Sequence, residues 1–140
     1  MSKADLLREY LEEIDYHFHE GSNSDFGIHF FMAQQGIKGG QTVTVVVEFP
    51  DDEKFVGLKI FDIATIDSPL KREELLKLMN DFNRRYRFGK FTIDSNGSIL
   101  MEWTLMTVDS FNPKLIMELC FTMVECVEDE YPKLMKLQWA

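Results

Sequence analysis

The chain has 140 residues, 45% of them apolar, and carries a net charge of -9 at pH 7. This size predicts a single domain over residues 1–140 with one core, and the acidic excess disfavours binding to nucleic acid or to anionic membranes. Because no run of about 18 apolar residues is present and the first turns are charged, we expect a cytoplasmic protein without a membrane span or secretory signal.

The first half of the chain predicts one helix followed by strands. Ser2 can cap the helix, because apolar residues recur after it at helical spacing. A short strand at 16–20 and a longer one at 27–33 follow, separated by the turn-rich sequence GSNSDF. Alternating apolar residues in 41–49, and less cleanly in 55–66, then predict two adjacent antiparallel strands.

The second half predicts two more helices on either side of a hairpin. Ser68 and Pro69 provide a cap and a first-turn proline for a helix that runs to Arg85. Asn112 begins a third helix, which Pro132 kinks or ends. The sequence therefore predicts an α+β fold, an antiparallel sheet of about five to six strands with three helices, in the order α-β-β-β-α-β-β-α.

The hairpin between the second and third helices has a predictable register. A three-residue loop, Ser95-Asn96-Gly97, keeps apolar residues on one face, whereas a two-residue loop would put a carboxylate there. The three-residue loop pairs Ile93 with Ile99 and Phe91 with Met101, sets Lys90 opposite Glu102, and places Gly89 beneath the indole of Trp103.

The segment NDFNRRYRFGKF holds four of the 15 Lys and Arg residues. Arg84 and Arg85 fall in the last turn of the second helix, where positive charge meets the negative end of the helix dipole. Lys90 has Glu102 as a cross-strand partner, which leaves only Arg87 without one. We interpret the cluster as structural, and the alternative is that Arg84, Arg85 and Arg87 contact an anion or an acidic peptide.

Three histidines raise the hypothesis of a metal site. His17, His19 and His29 share one face of the first two strands if Phe30 and Met32 point inward. Zinc sites normally need a fourth ligand and ordered supporting groups, and the sequence offers neither clearly. A solvated strand face is the favoured interpretation, and whether the three imidazoles bind metal stays open.

The sequence predicts neither an enzyme nor a cofactor. Its acidic runs flank turns and helix ends, and it has no nucleophile elbow, P-loop or dinucleotide-binding glycine motif. Cys120 and Cys126 lie six residues apart in one helix, on different faces, so we expect two buried, reduced thiols.

The apolar surface is a better indication of function. The second face of the sheet mixes Phe31, Val46, Phe61 and Met106 with polar residues, and the third helix is apolar around much of its circumference. Such surfaces usually mark protein contacts, and methionine-rich ones adapt to varied partners. The residues predicted to form a partner or dimer interface are Phe61, Met106, Met117, Phe121, Met135 and Trp139.

The segments FNRRYRFGKFTID, SILMEWTLM and NPKLIMELCFTMVE resemble the YbjN family, labelled as bacterial sensory transduction regulators. The resemblance covers most of the chain, from Ala4 through the third helix. It implies a fold similar to the type III secretion chaperones, frequently dimeric, and a regulatory function without catalytic residues that could be transferred.

Composition, surface and resemblance together predict a non-enzymatic protein-binding module that forms a homodimer. It would capture an amphipathic segment of a partner polypeptide on its sheet or third helix. The alternative is a regulator that senses a small ligand in an apolar pocket between the sheet and the helices.

Overall fold

The computed structural model describes residues Met1–Ala140 and contains one six-stranded antiparallel sheet and three helices. The elements are α1 (Lys3–Glu13), β1 (His19–Asn23), β2 (Ile28–Gly36), β3 (Thr42–Pro50), β4 (Phe55–Thr65), α2 (Arg72–Arg85, after a 3₁₀ turn at Pro69–Lys71), β5 (Lys90–Ile93), β6 (Ser98–Met106) and α3 (Pro113–Gln138). The strand order in the sheet is β1-β2-β3-β4-β6-β5. The predicted α+β class is confirmed, with four strands before α2, one more than in the predicted order.

The helices pack on one face of the sheet and leave the other face uncovered. Alternate residues of β3 and β4, such as Val47 and Leu58, pair directly and are buried in the same core as Leu7 of α1, Phe82 of α2 and Met123 of α3. Each such side chain contributes roughly 1.5–3 kcal/mol by leaving water. On the other face Thr44 and Val46 are buried by their neighbours, whereas Phe30, Met32, Lys59 and Glu102 keep partial exposure. A half-apolar sheet surface is therefore available to solvent.

The facing of β2 differs from the prediction. Phe31 points towards the helices and is buried, with its ring 5.5 Å from that of Phe18 and 6.2 Å from that of Phe49. Phe30 and Met32 therefore lie on the uncovered face, where Met32 pairs with Val46. The predicted inward placement of Phe30 and Met32, and the outward placement of Phe31, were wrong.

The hairpin between β5 and β6 has the predicted register, with Ile93 opposite Ile99 and Phe91 opposite Met101. Gly97 has φ +79°, as the three-residue loop requires. Gly89 differs from the prediction, because a Cβ there would lie 2.6 Å from Cε of Met101. The side chains nearest to Gly89 are thus those of Met101 and Met123.

The third helix continues past Pro132 to Gln138, so the alternative in which Pro132 ends the helix and leaves a separate tail was wrong. Leu134 is fully buried beyond the proline, and Leu137 packs on the core. Burial of these side chains offsets the hydrogen bond that proline cannot donate. None of the three helices combines the length and apolar content needed to cross a bilayer.

Candidate functional site

The regular pairing of β4 breaks down near its end. Ile60 pairs with Met101 and Ala64 with Ile99, so the residues between Ile60 and Ala64 face only one residue of β6. In this bulge Asp62 has φ +64°, a left-handed conformation that aspartate tolerates better than most residues. The bulge therefore interrupts the regular pairing of β4 with β6 over these residues.

Two side chains, one in β3 and one just before it, form hydrogen bonds with the bulge. Oδ2 of Asp62 accepts a hydrogen bond from Oγ1 of Thr44 at 2.6 Å. The side-chain amide of Gln41 donates to the carbonyl oxygen of Asp62 at 2.8 Å. The irregular backbone therefore has hydrogen-bond partners, as a stable functional bulge requires.

A groove of about 620 Å³ lies between this bulge, the β5–β6 hairpin and the end of α3. A volume of this size falls within the range of small-molecule and cofactor pockets. Its apolar lining includes Phe61, Ile63, Ala64, Ile99, Leu100, Tyr131, Met135 and Trp139. Its polar lining consists of Gln41, Asp62, Thr65, Asp94, Ser98 and Gln138.

The end of α3 brings Trp139 to the groove. The backbone N–H of Trp139 donates to the carbonyl of Met135 at 3.0 Å, and Nζ of Lys71 donates to the carbonyl of Gln138 at 2.6 Å. The helix end is therefore tied to the turn before α2. The Trp139 side chain nevertheless remains 77% exposed beside the groove.

The polar groups of the groove are acidic or neutral. No Lys, Arg or His lines it, and neither Asp62 nor Asp94 is within ion-pair distance of a basic group. In addition, Oε1 of Gln138 is shielded from water and lacks a hydrogen-bond partner. The groove thus combines apolar walls with uncompensated negative charge.

Three of the six predicted interface residues, Phe61, Met135 and Trp139, meet at this groove. Met106 is 74% exposed but pairs with Phe55, towards the other end of β4. Met117 is only 2% exposed and belongs to the core, so no surface can include it.

The remaining predicted interface residue, Phe121, is half-buried, with its ring edge-on to that of Tyr16 at 5.5 Å. Sequence analysis missed Asp62, Asp94 and Leu100 as lining residues. The irregular alternation in β4 was the available sign for Asp62, and the hairpin register already put Leu100 on the face opposite Ile99.

Part of the basic cluster makes contacts within the protein. Arg84 and Arg85 occupy the last turn of α2, as predicted, and Arg85 forms an ion pair with the buried Glu130. Nζ of Lys90 donates to the carbonyls of Asn83 at 2.8 Å and Tyr86 at 3.0 Å.

Lys90 lies opposite Glu102 in the sheet, as predicted. The predicted charge pair between the two side chains is absent, because Nζ of Lys90 binds the end of α2 and Glu102 accepts a hydrogen bond from Thr92. Arg84 and Arg87 are exposed and form no ion pair or hydrogen bond. A contact between these arginines and an anion or acidic peptide stays a prediction.

The histidines do not share a face. His19 pairs with Met32 on the uncovered face, whereas His29 lies on the helix face, where its Nε2 is 2.5 Å from Oε2 of Glu20. His17 precedes β1, and no group of three or more His, Cys, Asp or Glu residues is arranged to hold a metal ion. The premise of the metal hypothesis, a common face for all three imidazoles, was wrong.

Both cysteines are free and buried, as predicted. Burial raises the pKa of Cys120 to about 12. Burial, together with Asp129 and Glu125, raises the pKa of Cys126 to about 11. The thiols are therefore protonated at neutral pH and are poor nucleophiles.

The chain matches the YbjN family model, whose description is "Putative bacterial sensory transduction regulator", over residues 3–135. A search of curated proteins found no match. The matched region includes the bulge in β4, the hairpin and most of α3, but ends before Gln138 and Trp139.

Proposed function

This chain belongs to the YbjN family, and we propose that it acts as a non-enzymatic regulatory module that binds a partner polypeptide. The description of the family is regulatory and names no reaction. Regulation by a module without catalytic groups requires a binding surface, and the groove at the end of α3 is the surface best suited to this role.

The observation that carries the proposal is the exposed Trp139 beside a groove that also contains Phe61, Leu100 and Met135. Large apolar and aromatic residues that border a depression are typical of the few residues that dominate binding energy in protein interfaces. Met135 adds an adaptable side chain, which suits partners of varied shape.

The groove has room for a segment of polypeptide, whereas the interior has no room for an enclosed small ligand. The cavity between sheet and helices, lined by residues such as Leu11, Phe31 and Met117, measures only about 10 Å³. That volume is at the lower limit for a single water molecule. The alternative function, sensing of a small apolar ligand inside the protein, would therefore require the helices to move apart.

We also propose that two copies associate through the uncovered face of the sheet. Phe55 and Met106 pair there and both are exposed. At the outer edge of β5 the side-chain amide of Asn83 bonds both backbone groups of Phe91, which hinders strand pairing at that residue. A face-to-face contact is thus favoured over an extended sheet at that edge.

Affinity capture from the source cell tests the binding function. Wild-type protein should retain a polypeptide that the Trp139→Ala variant loses. Phe26→Ala is the matched control, because Phe26 is 75% exposed but lies in the turn between β1 and β2, away from the groove. Equal capture by all three proteins would contradict the groove as the binding site.

Native mass spectrometry of the gently purified chain separates the two candidate functions. A co-purified polypeptide supports the binding module. A bound small molecule that persists in Trp139→Ala supports the sensor, since that ligand would occupy the interior instead of the groove.

A further inference from the structure

In each of the two carboxylates of the groove, one oxygen accepts no hydrogen bond from the protein. Oδ2 of Asp62 accepts from Thr44, and Oδ1 of Asp94 accepts from the backbone N–H groups of Asn96 and Ser98 at 2.8 and 3.0 Å. The other carboxylate oxygens have no hydrogen-bond donor from the protein. Both side chains are fixed in place while part of each carboxylate remains free to accept.

Neither carboxylate of the groove forms an ion pair, and Nζ of Lys71, at the end of α3, is bound to the carbonyl of Gln138 instead. No basic residue lines the groove, and the whole chain carries a net charge of -9. A cationic group entering the groove meets an attractive field, whereas an acidic group meets repulsion from two carboxylates. Charge complementarity therefore favours an occupant with positive charge.

Resting on the proposed function, we propose that the groove binds a polypeptide segment in which Lys or Arg adjoins a large apolar residue. The basic group contacts Asp62 and Asp94, and the apolar side chain packs against Met135 and Trp139 at the end of α3. The exposed indole also offers a face on which a guanidinium can stack. The unpaired Oε1 of Gln138 gives the segment a further acceptor once the amide rotates.

A library of random linear peptides displayed on phage, selected on the immobilised full chain, tests this specificity. We expect enriched peptides to contain Lys or Arg next to Phe, Leu, Met or Trp. A synthetic copy of the most enriched peptide is then titrated by fluorescence anisotropy against the variants. Its affinity should fall as salt is added, because exposed charge contacts are screened.

The decisive variant is Asp62→Asn combined with Asp94→Asn. Asparagine keeps an acceptor oxygen for Thr44 and for the hairpin amides, and it tolerates the left-handed conformation at position 62. The affinity for the peptide should fall roughly two- to thirtyfold, the range expected for two partly exposed charge contacts. Asp81→Asn combined with Glu125→Gln, two exposed and unpaired carboxylates outside the groove, changes the net charge equally and should leave affinity unchanged.

Several outcomes would overturn the proposal. Enrichment of acidic or uncharged peptides, or equal affinity of the Asp62 and Asp94 variant, removes the charge specificity. If Trp139→Ala loses the peptide while that variant keeps it, the binding function stands and only the basic specificity fails. If no peptide is enriched, the binding function itself fails as well. Self-association abolished by the Asp62 and Asp94 variant would assign the groove to a second copy of this chain instead.

Discussion

Gly97 closes the β5–β6 hairpin against the chain that enters α2. Its φ of +79° favours glycine, and a Cβ would lie 2.7 Å from the carbonyl oxygen of Ile66 and 2.8 Å from Cα of Asp67. The neighbouring atoms belong to backbone, which cannot move aside as a flexible side chain can. Two constraints, conformation and space, therefore act on one residue.

We predict that Gly97→Ala lowers the free energy of unfolding by about 3 kcal/mol, the sum of left-handed strain and a backbone clash. Gly40→Ala is the matched control, because Gly40 has φ +87° but nothing within 4 Å of the added Cβ. It should cost only about 1 kcal/mol. Urea unfolding of both variants measures the difference, and equal costs would mean that the contact with Ile66 and Asp67 is unimportant.

Glu130 is the one buried carboxylate in the core, and it organises the end of α2. It accepts a hydrogen bond from the Tyr86 hydroxyl at 2.8 Å, is paired with Arg85, and lies 3.3 Å from Nζ of Lys133. Burial by itself raises the pKa of Glu130, but the hydrogen bond from Tyr86, the nearby ammonium of Lys133 and the hydrogen bond from Arg85 outweigh it and hold the pKa below its usual range. The folded protein therefore favours the ionised form.

We predict that Glu130→Gln lowers the free energy of unfolding at pH 7 by about 1–3 kcal/mol, because charge-assisted hydrogen bonds are lost. A carboxyl with a lower pKa in the folded state binds fewer protons there than when unfolded. Its stabilisation is thus complete above the unfolded pKa and is lost as pH falls through the folded pKa.

The difference between wild type and Glu130→Gln should accordingly shrink as urea unfolding is repeated at pH values below about 4. Glu125→Gln, an exposed and unpaired position on the same helix, serves as the control and should change stability little at any pH. A pH-independent difference for Glu130→Gln would contradict the linkage.

Among the elements, β5 shows how a helix protects a sheet edge. The Asn83 amide donates to the carbonyl of Phe91 at 3.0 Å and its Oδ1 accepts from the Phe91 N–H at 2.7 Å, so one side chain replaces the missing strand. Unpaired edges invite pairing with other chains. The α2–β5 contact therefore blocks one route to uncontrolled association.

We predict that Asn83→Ala lowers the free energy of unfolding by about 1–3 kcal/mol, since it leaves both groups of the buried Phe91 unpaired. It should also increase light scattering at high concentration. Asn80→Ala, one turn earlier on the exposed side of α2, is the matched control and should do neither. If the two variants behave alike, the Asn83 amide does not protect the edge.

Elements that are decided by local interactions could be predicted from the sequence, whereas those decided by contacts between distant segments could not. The hairpin register was predicted because Gly97 and the alternation around Phe91 are local. The phase of β2 was not, since Phe30, Phe31 and Met32 are all apolar, and contacts with Phe18 and Phe49 decide which ring is buried.

The candidate groove could be predicted only in part. Phe61, Met135 and Trp139 were selected from sequence as exposed apolar residues, but the groove also needs the bulge at Asp62 and a helix that continues past Pro132. Both depend on packing between segments far apart in the chain. Local patterns indicated the residue types, whereas tertiary contacts determined which of them meet.

For the molecule as a whole, the negative net charge has opposite effects on the two proposed contacts. It opposes association of two copies and favours binding of a basic segment. Two copies that each carry a net charge of -9 repel each other, and salt screens this repulsion within about 10 Å at 0.1 M ionic strength. A basic segment in the groove is attracted by the same charge. Added salt should therefore strengthen self-association and weaken binding of the partner.

We predict that the dissociation constant of the homodimer falls as sodium chloride rises from about 0.05 to about 0.5 M, because repulsion between the acidic copies is screened while the apolar contact is retained. Analytical ultracentrifugation over a range of concentrations measures it. Met106→Glu should weaken the dimer by placing two like charges in the contact, whereas Leu70→Glu, at a 95% exposed residue of the 3₁₀ turn, should act only through net charge. A protein that stays monomeric at every concentration and salt level would rule out the dimer, and equal effects of the two variants would move the contact away from the uncovered face of the sheet.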